Sequence, residues 1–398
     1  MKPIRVVHVI TRLILGGAQE NTLLTVEGLD RMPEYEVTLI SGPALGPEGE
    51  LVERARRNKV NLLIVPQMQR AIHPVRDAVT LFKLVRLYRR LNPHIVHTHS
   101  SKAGILGRAA ARFAGVPIIL HTIHGLPFHP YESGLNNLLY RKLERRAARW
   151  SQKIITVADA MRDQAVAAGV AAPDKFVTIY SGMEVDTFLA ADTHGARGAT
   201  RRALGIADDE VVIGKIARLF ELKGHEYVIA AAPRILREFP RARFLFVGDG
   251  ILRQRLQEQA ERLGVADRIL FAGLVDPSRI PEMLGAMDLV VHASLREGLA
   301  RVLPQALLAG RPVVSYDIDG AREVVLDGVT GYLVRPQAVD ELADAVLKML
   351  RDPAKARAMA TKGREMFADQ FRAETMVRRI SALYQELLSG AGGHAAGG

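Results

Sequence analysis

The 398-residue sequence contains no cysteine and only one tryptophan. Without cysteine, neither a disulfide framework nor a thiolate zinc site can form, and a reducing compartment is compatible. All apolar runs fall short of the roughly 20 residues that a membrane-spanning helix needs. The first ten residues carry a short apolar run interrupted by His8, which predicts a first strand and not a signal peptide. We therefore expect a cytoplasmic globular protein.

Acidic residues are scarce in the first part of the chain. Residues 1–150 hold 22 Lys and Arg against 11 Asp and Glu, so the whole net charge of +11 lies there. Such asymmetry predicts an anionic partner, either nucleic acid or an anionic membrane surface. Residues 138–150 concentrate the cations between apolar residues at helical spacing, namely Leu139, Leu143, Ala147 and Trp150. This pattern is typical of an interfacial helix, and equally of an ordinary surface helix with a solvated basic face.

Apolar runs alternate with helical patterns along most of the chain. The predicted strands are 4–10, 36–40, 62–65, 95–97, 118–122 and 154–157 in the first half, and 211–217, 244–247, 269–271, 289–292 and 313–316 in the second. Helical patterns cover 74–91 and 103–115, among others. Continuous Val/Ile-rich strands predict parallel sheets covered on both faces. The sequence thus predicts two doubly wound α/β domains joined by residues 190–200.

Two segments follow predicted strands and offer charged side chains. The first, residues 217–224, contains Arg218 and Lys223, and the second places Glu297 beside Gly298 at a predicted helix start. Open α/β sheets bind ligands at this edge, and free N–H groups at a helix start attract phosphate or sugar oxygens. Two fixed cations near a carboxylate indicate a pocket for a diphosphate that carries a hydroxyl-rich group. Such a ligand is a nucleotide-sugar.

Two glycine segments could also approach phosphate. Gly16 and Gly17 follow the first strand, where they could let a phosphate reach backbone N–H groups or could simply form a tight turn. The segment ending at Gly250 resembles a dinucleotide fingerprint, but Arg253 occupies the third glycine position and no acidic residue follows at the required distance. We therefore do not predict a nicotinamide or flavin cofactor.

Two groups of residues are candidates for metal ligands, namely several histidines and one aspartate pair. His97 and His99 alternate on one strand end, and His121 and His124 lie at the next, but no carboxylate stands at ligand spacing. Asp317 and Asp319 form an Asp-x-Asp pattern after a strand. A loop capping the next helix is the favoured interpretation of that pair. The sequence predicts no metal site.

Several motifs, in this order along the chain, resemble those of one enzyme family. They are residues 73–77, 96–104 and 121–128 in the first half, and 216–224, 247–250, 271–273 and 297–314 in the second. The second set resembles the donor domain of the retaining family 4 glycosyltransferases. The first set resembles the acceptor domain of their bacterial capsular and exopolysaccharide members. The resemblance implies the GT-B fold, in which two Rossmann-like domains face each other across a cleft.

The resemblance also implies roles for individual residues. Arg218 and Lys223 would neutralise the donor diphosphate in place of a metal, Glu297 would hold hydroxyls of the transferred sugar, and His124 would lie near the reacting sugar. The implied donor-binding residues are Gly17, Gly250, Gly298, Leu299 and Gln305. His99 and Lys102 would bind acceptor phosphate.

The chain departs from the family pattern at two positions. Gln305 stands where the family has a second glutamate that grips the ribose, and Ala300 stands where it has a glycine. An amide can still hydrogen bond to ribose hydroxyls, although the negative charge is lost. The expected domains are 1–182 for the acceptor, with a helix at about 372–388 packing back on it, and 200–371 for the donor. Residues 389–398 are expected to be disordered.

We therefore expect a glycosyltransferase of polysaccharide biosynthesis that retains the anomeric configuration. Its donor would be a UDP- or GDP-sugar, and its acceptor an undecaprenyl-diphosphate-linked or other saccharide. It would need no metal, bind no nucleic acid, and associate peripherally with an anionic membrane at the inner face of the plasma membrane. Two alternatives stay open: a nucleotide-sugar 2-epimerase of the same architecture, and a degenerate nucleotide-sugar binding protein, which Gln305 favours.

Overall fold

A computed structural model describes residues 2–45, 50–191 and 194–395. The chain divides into two compact units. The first unit contains the residues up to Met183 together with those from Arg372 onward, and the second is Glu184–Phe371. Each unit is built around its own parallel sheet with helices on both faces.

The strands fall into two sheets. The first sheet contains β1 Ile4–Ile10, β2 Tyr35–Ser41, β3 Leu62–Ile64, β4 Ile95–His99, β5 Ile118–Ile123, β6 Lys153–Thr156 and β7 Phe176–Thr178. The second contains β8 Val211–Ile216, β9 Ala242–Val247, β10 Ile269–Gly273, β11 Leu289–His292, β12 Val313–Tyr316 and β13 Gly331–Val334.

Fifteen α-helices are assigned within the described residues. They are α1 Gly17–Asp30, α2 Val52–Arg57, α3 Pro74–Leu91, α4 Ser101–Ala114, α5 Gly134–Ala148, α6 Asp159–Ala167, α7 Val185–Leu189, α8 His194–Ala203, α9 His225–Glu238, α10 Arg253–Arg262, α11 Ile280–Ala286, α12 Val302–Leu308, α13 Val339–Arg351, α14 Pro353–Phe367 and α15 Ala373–Ala395.

Both sheets are doubly wound. The strand order is β3-β2-β1-β4-β5-β6-β7 in the first and β10-β9-β8-β11-β12-β13 in the second, with neighbouring strands parallel. In each sheet the order reverses beside the first strand of the unit, which is the point where open α/β sheets bind ligands. The predicted fold class, two Rossmann-like α/β units, is confirmed.

The strands β7 and β13 were not predicted from the sequence. β7 and β13 are three and four residues long and lie at the edges of their sheets. β3 is equally short and also lies at an edge, but it is an uninterrupted Leu/Ile run, whereas β7 contains Thr178 and β13 contains Gly331. By contrast, α3 has the bounds expected from its pattern, because His73 caps it by accepting from the N–H of Arg76 and Pro74 occupies the first turn.

Helix α15 belongs to the first unit and packs against α1. Val377, Ile380 and Tyr384 are buried in the core that β1 and β2 also line. The helix continues to Ala395, which corrects the expected disorder from residue 389, while residues 396–398 lie outside the described part.

Within the expected connection at residues 190–200, residues from 194 onward are helical, whereas 192 and 193 lie outside the described part. Helices α7 and α8 belong to the second unit, and α8 packs on α11. Arg197 and Arg201 each hydrogen bond to a different carboxylate oxygen of Asp288, at 2.5 and 2.6 Å, and this carboxylate also accepts from the N–H of Val212. The two arginines therefore fasten α8 to the start of β11.

Across the described residues, the helices are too short or too polar to traverse a bilayer.

A lysine lies inside the core of the second unit. Lys215, in the central strand β8, is 1% exposed, and its Nζ has no hydrogen-bond partner among the described residues. The pKa of Lys215 is lowered to about 7, first by burial and second by Lys223, while Glu297 and Glu226 oppose the shift. Burying an amine without a hydrogen-bond partner costs folding free energy, so a lysine at this position destabilises the second unit.

We predict that Lys215→Met stabilises the second unit and changes its pH dependence. The unfolded lysine holds its proton up to about pH 10.5, whereas the folded one loses it near pH 7, so stability rises with pH between these values. At pH 7 the free energy of unfolding of the variant should exceed that of the wild type by a few kcal/mol. Its stability should not rise between pH 7 and 10.5. Urea unfolding from pH 6 to 10 measures both effects. Lys362→Met, at an exposed position, is the control and should keep the wild-type slope.

Candidate functional site

The loop after β8 carries two of the predicted cations. Arg218 is exposed, and its guanidinium carbon lies 5.0 Å from the centre of the Phe220 ring. Gly224 ends the loop with φ +70, and a Cβ there would lie 1.8 Å from the carbonyl oxygen of Ala293. Only glycine allows this approach of the loop to the end of β11. The loop is further held by a hydrogen bond from the N–H of Leu295 to the carbonyl of Leu222.

This approach brings Lys223 and Glu297 together. Lys223 Nζ lies 2.6 Å from Glu297 Oε1, and each side chain is 21% exposed. Burial raises the pKa of Glu297, but Lys223 and His292 together outweigh burial and hold this pKa well below its usual range. Glu297 is therefore an ionised carboxylate at neutral pH, and Lys223 is its counter-ion. The two predicted motifs form one charged pair at the carboxyl edge of the second sheet.

His292, at the end of β11, faces the same carboxylate. Its Nε2 lies 3.7 Å from Glu297 Oε1, and its Nδ1 is 2.9 Å from Ser315 Oγ. Because the Ser315 hydroxyl donates to the carbonyl of Tyr316, it accepts from His292 Nδ1, which leaves Nε2 as an acceptor. Burial lowers the pKa of His292, so the ring is neutral. A ligand hydroxyl here would find two acceptors, Glu297 and His292.

The Asp-x-Asp pair is held by protein groups. Asp317 forms an ion pair with Arg322, and Asp319 Oδ2 accepts from the N–H of Glu297 at 2.7 Å. The predicted cap on the following helix is not formed, since the helical turn Asp319–Glu323 is preceded by Ile318 and has no side-chain cap bond. The reason is that Asp319, with φ +43, directs its carboxylate to the Glu297 loop. Asp319 thus positions the backbone of Glu297.

The expected helix start at Gly298 is wrong. Gly298 and Leu299 are buried in a bend, and α12 begins only at Val302. Proline lacks an N–H donor and fits a helix only in its first turn, which is where Pro304 lies. Gln305 is half-buried on α12, and no hydrogen bond of its side chain is found among the described residues.

The two predicted glycine positions lie at strand-to-helix turns. Gly17 is the first residue of α1, directly after β1 and the turn that follows it. Gly250 follows β9, and a Cβ there would lie 2.4 Å from the carbonyl oxygen of Leu219, so glycine is required for the loop to close on the Arg218 segment. The N–H of Gly250 donates to the carboxylate of Asp249 at 2.8 Å.

The predicted acceptor-side residues lie in the first unit after β4 and β5. His124 Nε2 is 3.1 Å from Nδ1 of the buried His99. Lys102, on α4, forms an ion pair with Asp77 of α3 at 2.6 Å. His99 and His124 therefore meet, whereas the Lys102 ammonium is directed to α3.

One group of three residues in the described part of the chain has the spacing of metal ligands. The ligand atoms of His8, His97 and His99 lie within 4.8 Å of one another. Every ring nitrogen of the three is already hydrogen bonded to a side chain. His121 lies apart and bonds to Thr98. A metal would have to displace several of these bonds.

Sequence reasoning missed His8, His292 and Lys215 as site neighbours. His8 lies beside His97 because β1 pairs with β4, and the interruption of an apolar strand by histidine was the available signal. His292 and Lys215 likewise interrupt buried strands of the second sheet. Charged or polar residues within predicted buried strands are therefore candidate site residues.

Two curated relatives show what the chain is similar to. It is 28% identical over 388 residues to a UDP-Gal:alpha-D-GlcNAc-diphosphoundecaprenol alpha-1,3-galactosyltransferase of Escherichia coli, which covers 97% of each chain. It is 28% identical over 318 residues to an alpha-D-kanosaminyltransferase of Streptomyces kanamyceticus, with 77% of this chain and 82% of the relative covered.

Solved structures share the fold. Anabaena HepE in complex with UDP and glucose matches with a TM-score of 0.83 and 22% identity, over 96% of this chain and 99% of that chain. A sucrose-phosphate synthase of Thermosynechococcus elongatus matches with a TM-score of 0.81 and 19% identity, over 97% and 100%. At these identities the likeness is one of fold.

Family models match both units. The model described as "Glycosyltransferase Family 4" matches residues 15–187, and that described as "Glycosyl transferases group 1" matches residues 196–366. Together they account for most of the described sequence, in agreement with the relatives and with the two Rossmann-like sheets. The chain therefore belongs to the family 4 glycosyltransferases with the GT-B fold.

Proposed function

We propose that the protein transfers a sugar from a UDP-sugar to a lipid-linked saccharide, with retention of the anomeric configuration, in the synthesis of a cell-surface polysaccharide. The observation that carries this proposal is the pairing of Lys223 with Glu297 beside the exposed Arg218. A nucleotide-sugar needs cations for its diphosphate and acceptors for its sugar hydroxyls, and this edge of the second sheet offers both.

The second unit would bind the donor. Arg218 and Lys223 would stabilise the charge that grows on the diphosphate as the sugar leaves. Glu297 and the acceptor nitrogen of His292 would receive sugar hydroxyls, since a hydroxyl between them can donate to either. The Lys223 ammonium would then interact with both the Glu297 carboxylate and the donor phosphate. Fixed cations would make the reaction independent of a metal.

The absence of an assigned nucleophile favours a same-face route. Retaining glycosidases place a second carboxylate about 5 Å from the first. Near Glu297, Asp319 is engaged by the N–H of Glu297. We therefore propose that the departing diphosphate and an oxocarbenium-like sugar form a short-lived ion pair, which the acceptor attacks on the same face.

The acceptor and the nucleotide are proposed from the relatives. The Escherichia coli relative is named for a UDP-sugar donor and a diphosphoundecaprenol-linked acceptor, and it spans nearly the whole chain. The solved structure of Anabaena HepE contains UDP. In the first unit, His124 would contact the acceptor sugar. Turnover with UDP- and GDP-sugars, with and without a lipid-linked saccharide, tests both assignments.

Replacing either donor-site cation should slow turnover strongly. Arg218→Ala and Lys223→Ala should each reduce kcat by about a hundredfold or more, on the order of 3 kcal/mol, because each opposes charge that develops in the transition state. Steady-state kinetics with saturating donor measures this loss. Arg262→Ala is the matched control, since Arg262 is exposed on the same unit, at the end of α10. Variants that keep half of the wild-type kcat would refute the site.

Gln305 should affect donor binding more than turnover. If its amide contacts the ribose, Gln305→Ala should raise the donor KM by about tenfold, the loss of roughly one net hydrogen bond, and leave kcat within a few fold. Gln305→Glu should be tolerated, because an ionised acceptor strengthens the bond. The measurement is KM for the natural donor and for a 2'-deoxyribose analogue. Unchanged KM in both variants, with equal use of the two donors, would place Gln305 outside the site.

Membrane association is proposed from the surface of α5. Arg141, Lys142, Arg145, Arg146 and Arg149 are exposed. The exposed apolar residues lie earlier than the pattern suggested, since Ala147 is buried whereas Leu135, Leu138 and Leu139 are 77%, 51% and 47% exposed. Apolar residues beside cations suit a surface of anionic lipid.

The five cations of this helix should hold the protein on anionic vesicles. Each cation near such a surface contributes about 1 kcal/mol, so replacing all five with glutamine should abolish cosedimentation at low salt. Wild-type binding should weaken as salt rises. A control variant replaces five exposed cations of the second unit, namely Arg237, Arg255, Arg262, Lys355 and Arg357. Equal loss in both variants would indicate a general charge effect and exclude α5 as the anchor.

A further inference from the structure

A line of hydrogen bonds runs from His124 into the interior of the first unit. His124 Nε2 lies 3.1 Å from His99 Nδ1, and His99 Nε2 lies 2.9 Å from His8 Nδ1. The ring centres of His8 and His99 lie 5.2 Å apart with 14° between the ring planes, and those of His99 and His124 lie 5.4 Å apart with 29° between the planes. His8 and His99 are 0% and 1% exposed. Each link thus joins opposite nitrogens of successive rings.

The line continues through the C-terminal helix. His8 Nε2 lies 3.2 Å from the Tyr384 hydroxyl, which lies 2.6 Å from His97 Nδ1. His97 Nε2 ends the line at Thr122 Oγ1, 2.7 Å away. Tyr384, His97 and Thr122 are also buried. Four imidazoles and one phenol are therefore connected end to end.

Burial keeps the interior rings neutral. It lowers the pKa of His8 to about 3, and it lowers the pKa values of His97 and His99 well below the usual range, with neighbouring imidazoles adding to the effect. A neutral imidazole carries one N–H and one bare nitrogen, and a phenol carries one O–H. Each buried imidazole must therefore donate on one side and accept on the other, and the Tyr384 O–H can donate to only one of its two neighbours.

Two arrangements of the hydrogens satisfy all the links and also give the buried Tyr384 O–H an acceptor within the line. If Tyr384 donates to His8, then His8, His99 and His124 all carry hydrogen on Nδ1, and His97 does too. If Tyr384 donates to His97, all four histidines carry hydrogen on Nε2. When His124 is neutral, these arrangements give all four rings the same tautomer.

We propose that His99, His8 and Tyr384 are positioning residues that set the tautomer of His124. This inference rests on the proposed acceptor-side role of His124. The line decides whether His124 Nδ1 is a donor or an acceptor, and a ligand hydroxyl that binds there selects the same ordering in the interior. A lone surface histidine has no such restriction, because water satisfies either tautomer.

The direct test is the tautomer of each ring. Long-range hydrogen–nitrogen NMR of protein labelled at histidine should show one shared tautomer for His8, His97, His99 and His124. Mixed tautomers within the four rings would overturn the inference. So would zinc that copurifies in stoichiometric amount and shifts the nitrogen signals of His8, His97 and His99, because these nitrogens would then be metal ligands.

Tyr384→Phe should break the line of hydrogen bonds between His8 and His97, because it removes the hydroxyl and keeps the aromatic ring. His124 should then become a mixture of tautomers, and kcat should fall by about tenfold, the equivalent of roughly one hydrogen bond, with donor KM unchanged. Tyr35→Phe is the matched control. Tyr35 lies against Tyr384, with ring centres 6.2 Å apart, and its hydroxyl bonds to Ser381 of the same helix at 2.7 Å. It should leave the tautomers and kcat unchanged.

The outcomes separate this inference from the proposed function. A mixed His124 tautomer with unchanged kcat would confirm the line and refute the role of His124 in transfer. An equal fall of kcat in both tyrosine variants, with the tautomers unchanged, would overturn the inference, because the effect would come from packing of α15.

Discussion

Parallel pairing of neighbouring strands governs where functional groups can meet in this protein. A parallel pair needs a crossover, usually a helix, so the carboxyl ends of all strands collect at one edge of each sheet. Lys223 and Glu297 are 74 residues apart and lie 2.6 Å from each other at that edge. His8 and His99 are 91 residues apart and form a buried hydrogen bond under the same rule. In both cases the strand order brings the two side chains close together, and their chemistry then determines how they interact.

The strands that the sequence predicts best are mostly buried. The predicted bounds of β1, β11 and β12 agree with the structure, and each of these strands contains two adjacent buried valines. β7 and β13 pair on one side only and bury part of their short length. Their existence follows from the helices that precede them and from the open edge of the sheet, which a local pattern does not contain.

The site is predictable as a set of residues but not as a set of contacts. Arg218, Lys223 and Glu297 stand out by charge and by position after strands. Their distances depend on Gly224, whose positive φ lets one loop touch another, and on Asp319, which holds the backbone of Glu297. The role of Tyr384 had no sequence signal, because a tyrosine on an amphipathic helix has the pattern of any core residue.

Helix α15 makes the first unit depend on both ends of the described chain. Its side chains complete the core beneath β1, and Tyr384 occupies the middle of the line of imidazoles. During synthesis the domain formed by Glu184–Phe371 emerges whole before this helix does. Until α15 is synthesised, the first unit therefore lacks side chains that complete its core, and His8 and His97 lack their shared partner. A chain that stops before residue 384 would lose this arrangement even though most of both units has been made.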